Sequence, residues 1–470
     1  MKNQAAKHVC DRVDDLREMR RAIKLVEYRA GARETNLRGG EMSNDSRGSN
    51  VADGSVVRRW GERAMRWAPW LLGISAVLSV AVSTATDPID LHIYVLGGAA
   101  LDHPASLYDA AYLDPAHNET MPFVYPPFAA MVFYPMHLVP FWLVALCWRI
   151  GVVAAIYAVV RMSQKMIDAD DRRVAMLWTA GALWLEPIVG NVKHATIGVF
   201  LMLAVVYAAY SSRWWLAGLL VGLGAGVKLT PAITGLYFLG MRRWAAAVFS
   251  GVVFLATLGV SYLVTGDRVR FFFEDWIGRD KLFTIGNDYN QSWRGGIARI
   301  LGYDAGTSPL LIAVIAATGL LTLAAWWALG RSPGQRDRLG SLLVVSVFGL
   351  LASPVSWTAH WVWVVPLMVW LLHGPWHDRP GARVLWWTWL VVTLAAIPNA
   401  LAQLQVSRWE ISRPWYEAWA GLVYPMVTLA TLGWIIATGL AMRAPGASSG
   451  SKSDSGSDSR EAVDASQLTS

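Results

Sequence analysis

The densest concentration of chemically capable side chains is the run Thr86-Asp87-Pro88-Ile89-Asp90-Leu91-His92-Ile93-Tyr94. It sets a carboxylate, an imidazole and a phenol within five positions, and a helix there would put Asp90 and Tyr94 on one face. Asp90 could serve as a general base toward a bound hydroxyl; the spacing also describes an ordinary solvated loop aspartate. One Asp with one His is too sparse for a metal site, and no metal is expected. In Phe123-Val124-Tyr125-Pro126-Pro127 the paired prolines fix an extended turn and aim Tyr125, either into a substrate wall or into a structural turn. Lys228 lies in Ala225-Gly226-Val227-Lys228-Leu229-Thr230-Pro231, between two short apolar runs. A lysine in such a setting has an anionic ligand or partner, or it snorkels to an interface. Glu186-Pro187 could pair with a base, bind sugar hydroxyls or be structural. Asn290-Gln291-Ser292-Trp293-Arg294-Gly295-Gly296 brings together amide, indole and guanidinium. Those groups suit a sugar phosphate through hydrogen bonds, stacking and charge, and they also suit a packed loop. Ser353 to Trp363 sets Trp357 and His360 among further tryptophans, where an imidazole could orient a phosphate or simply sit in an aromatic belt.

These residues must be positioned by apolar elements. The chain has 470 residues, 54% of them apolar and 16% charged. Soluble domains carry about 25% charged residues, so the shortfall argues against a soluble enzyme. We expect an all-α polytopic membrane protein with about twelve spans. They fall near 69–86, 139–160, 174–190, 196–211, 214–228, 230–241, 244–265, 309–330, 339–353, 359–373, 384–402 and 418–442. The short basic loops test the count: Arg161, Lys165, Arg172, Arg173, Arg213, Arg242, Arg243, Arg331, Arg336, Arg338, Arg379, Arg383 and Arg443 all follow even-numbered spans. With the basic N-terminus inside, every one is cytoplasmic. The net charge of +7 is therefore a topology signal, and nucleic acid is not expected as a partner. The loops 87–138, 266–308, 354–358 and 403–417 then face outward and hold the polar and aromatic candidates. Part of the 26 tryptophans falls in them.

Residues 1–68 read as a basic, partly disordered cytoplasmic segment with a charged surface helix over Val13 to Arg29, and 69–442 as the membrane domain. Residues 443–470 read as a disordered serine-rich cytoplasmic tail. No apolar run follows the first basic residues, so no signal peptide is expected. Cys10 and Cys147 sit in unlike contexts and are not expected to pair. Walker, GxGxxG, HExxH and CxxC patterns are missing, which disfavours ATP-driven transport. A lipid or solute transporter remains the alternative from another class.

The same runs, in order over roughly residues 65 to 440, resemble glycosyltransferase family 87 of the GT-C superfamily. The resemblance rests on Asp90 to Tyr94, Phe123 to Phe128, Glu186-Pro187, Lys228 to Pro231, Asn290 to Gly295 and Ser353 to Trp363. It implies a GT-C fold whose extracytoplasmic loops form the active site. It also implies an inverting mannosyl transfer from polyprenyl-phosphate mannose to a glycolipid acceptor, a phosphatidylinositol mannoside, in α-(1,2) linkage, with no cofactor. Asp90 matches the family's general base. His92, Tyr94, Tyr125, Glu186, Lys228, Asn290, Trp293, Arg294, Trp357 and His360 fall in its substrate-binding runs. Two stretches depart from the pattern. Gly190-Asn191-Val192-Lys193-His194 stands where the family usually has a Gly-Gln-(Val/Ile)-Asn run, and Ala359 stands where the first of two histidines is frequent. A catalytically weakened paralogue is the further alternative these departures raise.

Overall fold

A computed structural model describes residues 51–109, 111–114, 119–277, 284–330, 337–407 and 409–442. The expected Val13–Arg29 helix, Cys10, Arg331, Arg336, Arg443 and the serine-rich tail lie outside the described residues.

The first helix, α1 (Val51–Thr84), begins well before the first apolar run and passes through it. After the turn at Asp87-Pro88 comes α2 (Ile89–Ala99), which carries Asp90 in its first turn. A small antiparallel hairpin follows, β1 (Ala111–Asp114) against β2 (Glu119–Pro122), with Tyr112 opposite Met121. The proline pair then opens α3 (Pro127–His137), where Pro127 at the first position sacrifices only an N–H that a helix start leaves unpaired. Next is the long apolar α4 (Phe141–Met166). Asp171 caps α5 (Arg172–Ala182), accepting the N–H groups of Arg173 and Val174 at 2.8 and 3.2 Å.

The core of the assembly is a bent pair, α6 (Glu186–His194) and α7 (Gly198–Tyr210), whose axes meet at 117°. Ala195 adopts a left-handed conformation (φ 55°) and ends α6 there. Beyond it lie α8 (Trp214–Val227), α9 (Thr234–Gly240), α10 (Trp244–Thr265), α11 (Trp293–Leu301), α12 (Pro309–Leu329) and α13 (Arg338–Ala352). A 3-10 segment, Thr358–Trp363, leads into α14 (Val364–His373), and α15 (Ala382–Ala395) and α16 (Val423–Ala441) complete the bundle.

Among the described residues six helical stretches are long and apolar enough to cross a membrane: Met65–Thr84, Phe141–Met166, Trp244–Thr265, Pro309–Leu329, Ala382–Ala402 and Val423–Ala441. The bent pair makes a seventh if counted as one span. The protein is thus a helical, multi-pass membrane protein, but twelve full spans are not confirmed. The difference lies in the middle of the chain and in α13 and α14. The apolar runs read as spans three to six, nine and ten form helices of 7 to 15 residues. At 1.5 Å per residue even 15 residues reach only about 22 Å, short of a hydrocarbon core of about 30 Å. Such segments have their backbone satisfied by neighbouring helices, as broken segments at membrane depth must.

Candidate active site

The bend between α6 and α7 builds the inner wall of the site. Asn191, buried near the end of α6, holds it with its amide. Nδ2 donates to the carbonyls of Pro187 (2.7 Å) and Ala359 (2.6 Å), and Oδ1 accepts from Thr196 Oγ1 and from the Val199 N–H. The break leaves the Ile197 N–H without an intrahelical acceptor, and it donates to the Tyr94 hydroxyl at 3.1 Å. Tyr94 is fully buried on α2, and its hydroxyl meets that of Tyr125 at 3.1 Å. Tyr125 is pinned in turn, since Tyr108 donates to its carbonyl at 3.1 Å and the Trp276 indole donates to the Phe123 carbonyl at 3.0 Å. The Lys228 ammonium sits 5.4 Å from the centroid of the Tyr125 ring and 3.0 Å from His360 Nε2. Five candidates from four separate runs therefore converge: Asp90, Tyr94, Tyr125, Lys228 and His360.

Asp90 keeps some accessible surface, yet protein surrounds it. Desolvation pushes its carboxyl up to about 6, against the opposing pull of Lys228. Lys228 and His360 also line a small pocket, where the other lining groups are apolar or hydroxyl-bearing, among them Leu201, Met202, Thr234 and Leu350. With the ammonium donating, His360 Nε2 accepts and the ring proton resides on Nδ1, which is buried and finds no hydrogen-bond partner. The arrangement offers a carboxylate able to take a proton, a cation beside an unspent N–H donor, and apolar walls. Among the described residues no cluster of three His, Cys, Asp or Glu could hold a metal ion.

The other candidates occupy scaffold positions. His92 pairs with Asp87 at 3.0 Å and stacks on Tyr112 and Phe141. Glu186 accepts from the Tyr424 hydroxyl at 2.6 Å and from the Asn399 N–H at 3.2 Å. Asn290 is buried and ties the 266–308 loop to the 353–363 stretch: Nδ2 donates to the Ile285 and Pro354 carbonyls while Oδ1 accepts the Ser356 N–H. Trp293 donates to Thr318 Oγ1 at 2.9 Å, and Arg294 forms a two-point bridge to Asp304 at 2.9 and 2.6 Å. Trp357 pairs its backbone with Asn290 and accepts the His360 N–H at 2.7 Å, which sets the turn that presents the imidazole.

Sequence reasoning missed Arg149. It is buried on α4 and donates to the carbonyls of Ser83 (3.0 Å) and Thr86 (3.4 Å) at the end of α1, and to that of Val192 (3.4 Å) on α6. A guanidinium set deep in the apolar stretch from Phe141 to Val160 was the available signal. Asn191 was noted only as part of a departure. The two departures prove to touch: a Cβ on Gly190 would lie 3.2 Å from that of Ala359, whose carbonyl Asn191 holds.

The family model for glycosyltransferase family 87 matches residues 123–354. The chain is 54% identical over 379 residues to the polyprenol-phosphate-mannose-dependent alpha-(1-2)-phosphatidylinositol pentamannoside mannosyltransferase of Mycolicibacterium smegmatis, covering 79% of this chain and 92% of that one. It is 56% identical over 354 residues to the protein of the same description from Mycobacterium tuberculosis, covering 74% and 81%. A second M. tuberculosis protein, a polyprenol-phosphate-mannose-dependent alpha-(1-2)-phosphatidylinositol mannoside mannosyltransferase, is 30% identical over 423 residues, covering 83% and 94%. No solved structure matches the chain.

Proposed function

The chain belongs to glycosyltransferase family 87, and from that premise we propose that it transfers mannose from polyprenyl-phosphate mannose to a phosphatidylinositol mannoside. The linkage is α-(1,2), formed with inversion at the extracytoplasmic face. Membership makes the chain a glycosyltransferase, which sets the transporter alternative aside. The observation that carries the finer reading is the half-buried Asp90 held beside Lys228, with Lys228 and His360 on the wall of a largely apolar cavity.

In this reading Asp90 takes the proton of the acceptor hydroxyl as its oxygen bonds to the anomeric carbon. The bond from that carbon to the phosphate oxygen breaks, and the electron pair leaves with the polyprenyl phosphate. The Lys228 ammonium, held by His360 Nε2, stabilises that developing charge. Tyr94 and Tyr125 hold the cavity wall and the lysine. A lipid phosphate is already a good leaving group, so the remaining tasks are proton removal and alignment of the two sugars. The names of the 54% and 56% identical relatives support a pentamannoside as the acceptor.

The test is transfer of labelled mannose by the purified protein in lipid nanodiscs supplied with polyprenyl-phosphate mannose and phosphatidylinositol mannosides of defined length. The expected product carries one added α-(1,2) mannose, and Asp90→Asn of normal yield makes none. Full activity of Asp90→Asn would overturn the assignment of the base, and an unchanged acceptor pool with the wild type would overturn the reaction.

A further inference from the structure

Four segments meet at one carboxylate just ahead of Asp90. The Tyr112 hydroxyl, on β1, donates to Asp87 Oδ2. Asp87 Oδ1 lies 3.0 Å from His92 Nε2, on the second turn of α2. The His92 ring is held between two aromatic rings. Tyr112 lies at 4.4 Å with the planes 5° apart, and Phe141, the first residue of α4, at 3.9 Å and 17°. From the opposite side Arg149 grips the carbonyls of Ser83 and Thr86, and so fixes the chain that enters this turn. Asp90 follows Asp87 by three residues and lies in the chain between Asp87 and His92, the two ends of the 3.0 Å contact.

Both oxygens of Asp87 are thus engaged by protein donors, and both faces of His92 are covered. Neither side chain is free for a sugar or a metal, although each keeps about one-third of its surface exposed. What the cluster does is mechanical. The N-terminus of α2 carries no side-chain cap, and an uncapped helix start frays. Here the tie runs from the hairpin to the second turn instead, past the helix start.

We propose that Asp87, His92 and Tyr112 form a latch by which the β1–β2 hairpin fixes the first turn of α2 and so positions Asp90 for proton transfer. The three are positioning residues. The inference rests on the reading of Asp90 as the base, and it predicts that the hairpin contributes to turnover without touching either substrate. Proton transfer requires the base within hydrogen-bond reach of the acceptor hydroxyl, and misplacement by about 1 Å can cost 100-fold in rate.

The test uses the full chain in lipid nanodiscs with three conservative variants: Tyr112→Phe, which keeps the ring and removes the hydroxyl; Asp87→Asn, which keeps the shape; and His92→Phe, which keeps the stack. Tyr112→Phe and Asp87→Asn are expected to lower kcat by about 10-fold to 100-fold, with KM for polyprenyl-phosphate mannose and for the acceptor within twofold of wild type. The acid limb of the pH profile should move to lower pH, since a loosened turn admits water to Asp90. Hydrogen exchange of the 86–96 backbone should quicken in all three, and this readout does not depend on turnover. Wild-type kcat and an unmoved acid limb overturn the latch, as does a change confined to acceptor KM, which would make the cluster a binding site. Unchanged exchange overturns it even if the wild type transfers no mannose, and that last result would count separately against the functional reading.

Discussion

At Asp90 two influences oppose each other, burial raising the carboxyl and Lys228 lowering it, and burial prevails. A base must be deprotonated to act. With the carboxyl at about 6, activity should therefore rise through pH 6 and level off above it, and fall tenfold for each unit below. The kcat/KM profile of the nanodisc-reconstituted protein checks this; an acid limb near 4 would mean that Asp90 is solvated in the free enzyme. Lys228 tests the other half of the reaction. Lys228→Met keeps length and removes charge, and it should lower kcat about 100-fold or more while leaving the fold intact. A change only in donor KM would mean that the ammonium holds the phosphate equally in ground and transition states. The sequence displayed Asp90, Tyr94, Tyr125, Lys228 and His360 as members of four separate runs, and residue type alone was enough to single them out. It could not separate them from Asn290, Trp293 and Arg294, which have the same chemical capacity. Whether an amide or a guanidinium bonds to a ligand or to a neighbouring carbonyl depends on what lies opposite, and Asp304 and the Pro354 carbonyl come from other parts of the fold or chain.

The element on which the site turns is the break between α6 and α7. It exists because Asn191 supplies the hydrogen bonds that the interrupted helix cannot, and because Gly190 and Gly198 let the 358–363 segment come close. Asn191→Ala removes a buried amide that serves four partners and leaves the Pro187 and Ala359 carbonyls without their donor. A loss of about 1–3 kcal/mol is expected from unsatisfied buried groups, read as a lower midpoint of thermal unfolding in detergent. Activity should fall as well, since the Ile197 N–H that orients Tyr94 belongs to the same break. A midpoint equal to wild type would show that the bend is held by packing alone. Apolar composition located this region as membrane-embedded and interrupted it between 190 and 196, but it could not reveal that the flanking helices stop partway. A run such as Gly198 to Tyr210 has the same hydropathy whether it crosses the bilayer or stops partway, so each apolar run counted as a span. The interruption is written in single residues, Asn191 and Ala195, whose roles depend on the partner segment at Ala359.

Over the whole molecule, the long loops that the charge pattern assigns to the outer side are tied together by buried ion pairs and hydrogen bonds. Asp288 is buried with Arg299 at 3.4 Å and Arg413 at 3.6 Å, and Gln405 donates to the same carboxylate at 2.5 Å. Arg299 also donates to the carbonyls of Asn287, Asn290 and Gly421. The loop before α11 and the loop before α16 are thereby one body. A buried, paired cluster of this kind belongs where the short basic loops do not. The exposed Arg172 and Arg173 lie at the start of α5, after the long α4, whereas the Asp288 cluster sits in the loops assigned to the other side. The charge asymmetry thus predicts orientation independently of any catalytic argument. It can be measured with single cysteines placed in a background lacking Cys10 and Cys147, the latter being free and exposed. In intact cells a membrane-impermeant maleimide should label Ser407→Cys and spare Arg172→Cys until the membrane is permeabilised. The reverse pattern would put Asp90 on the cytoplasmic side, where nucleotide sugars are at hand and a lipid-phosphate donor has no advantage. The labelling therefore bears on the donor as directly as on the topology.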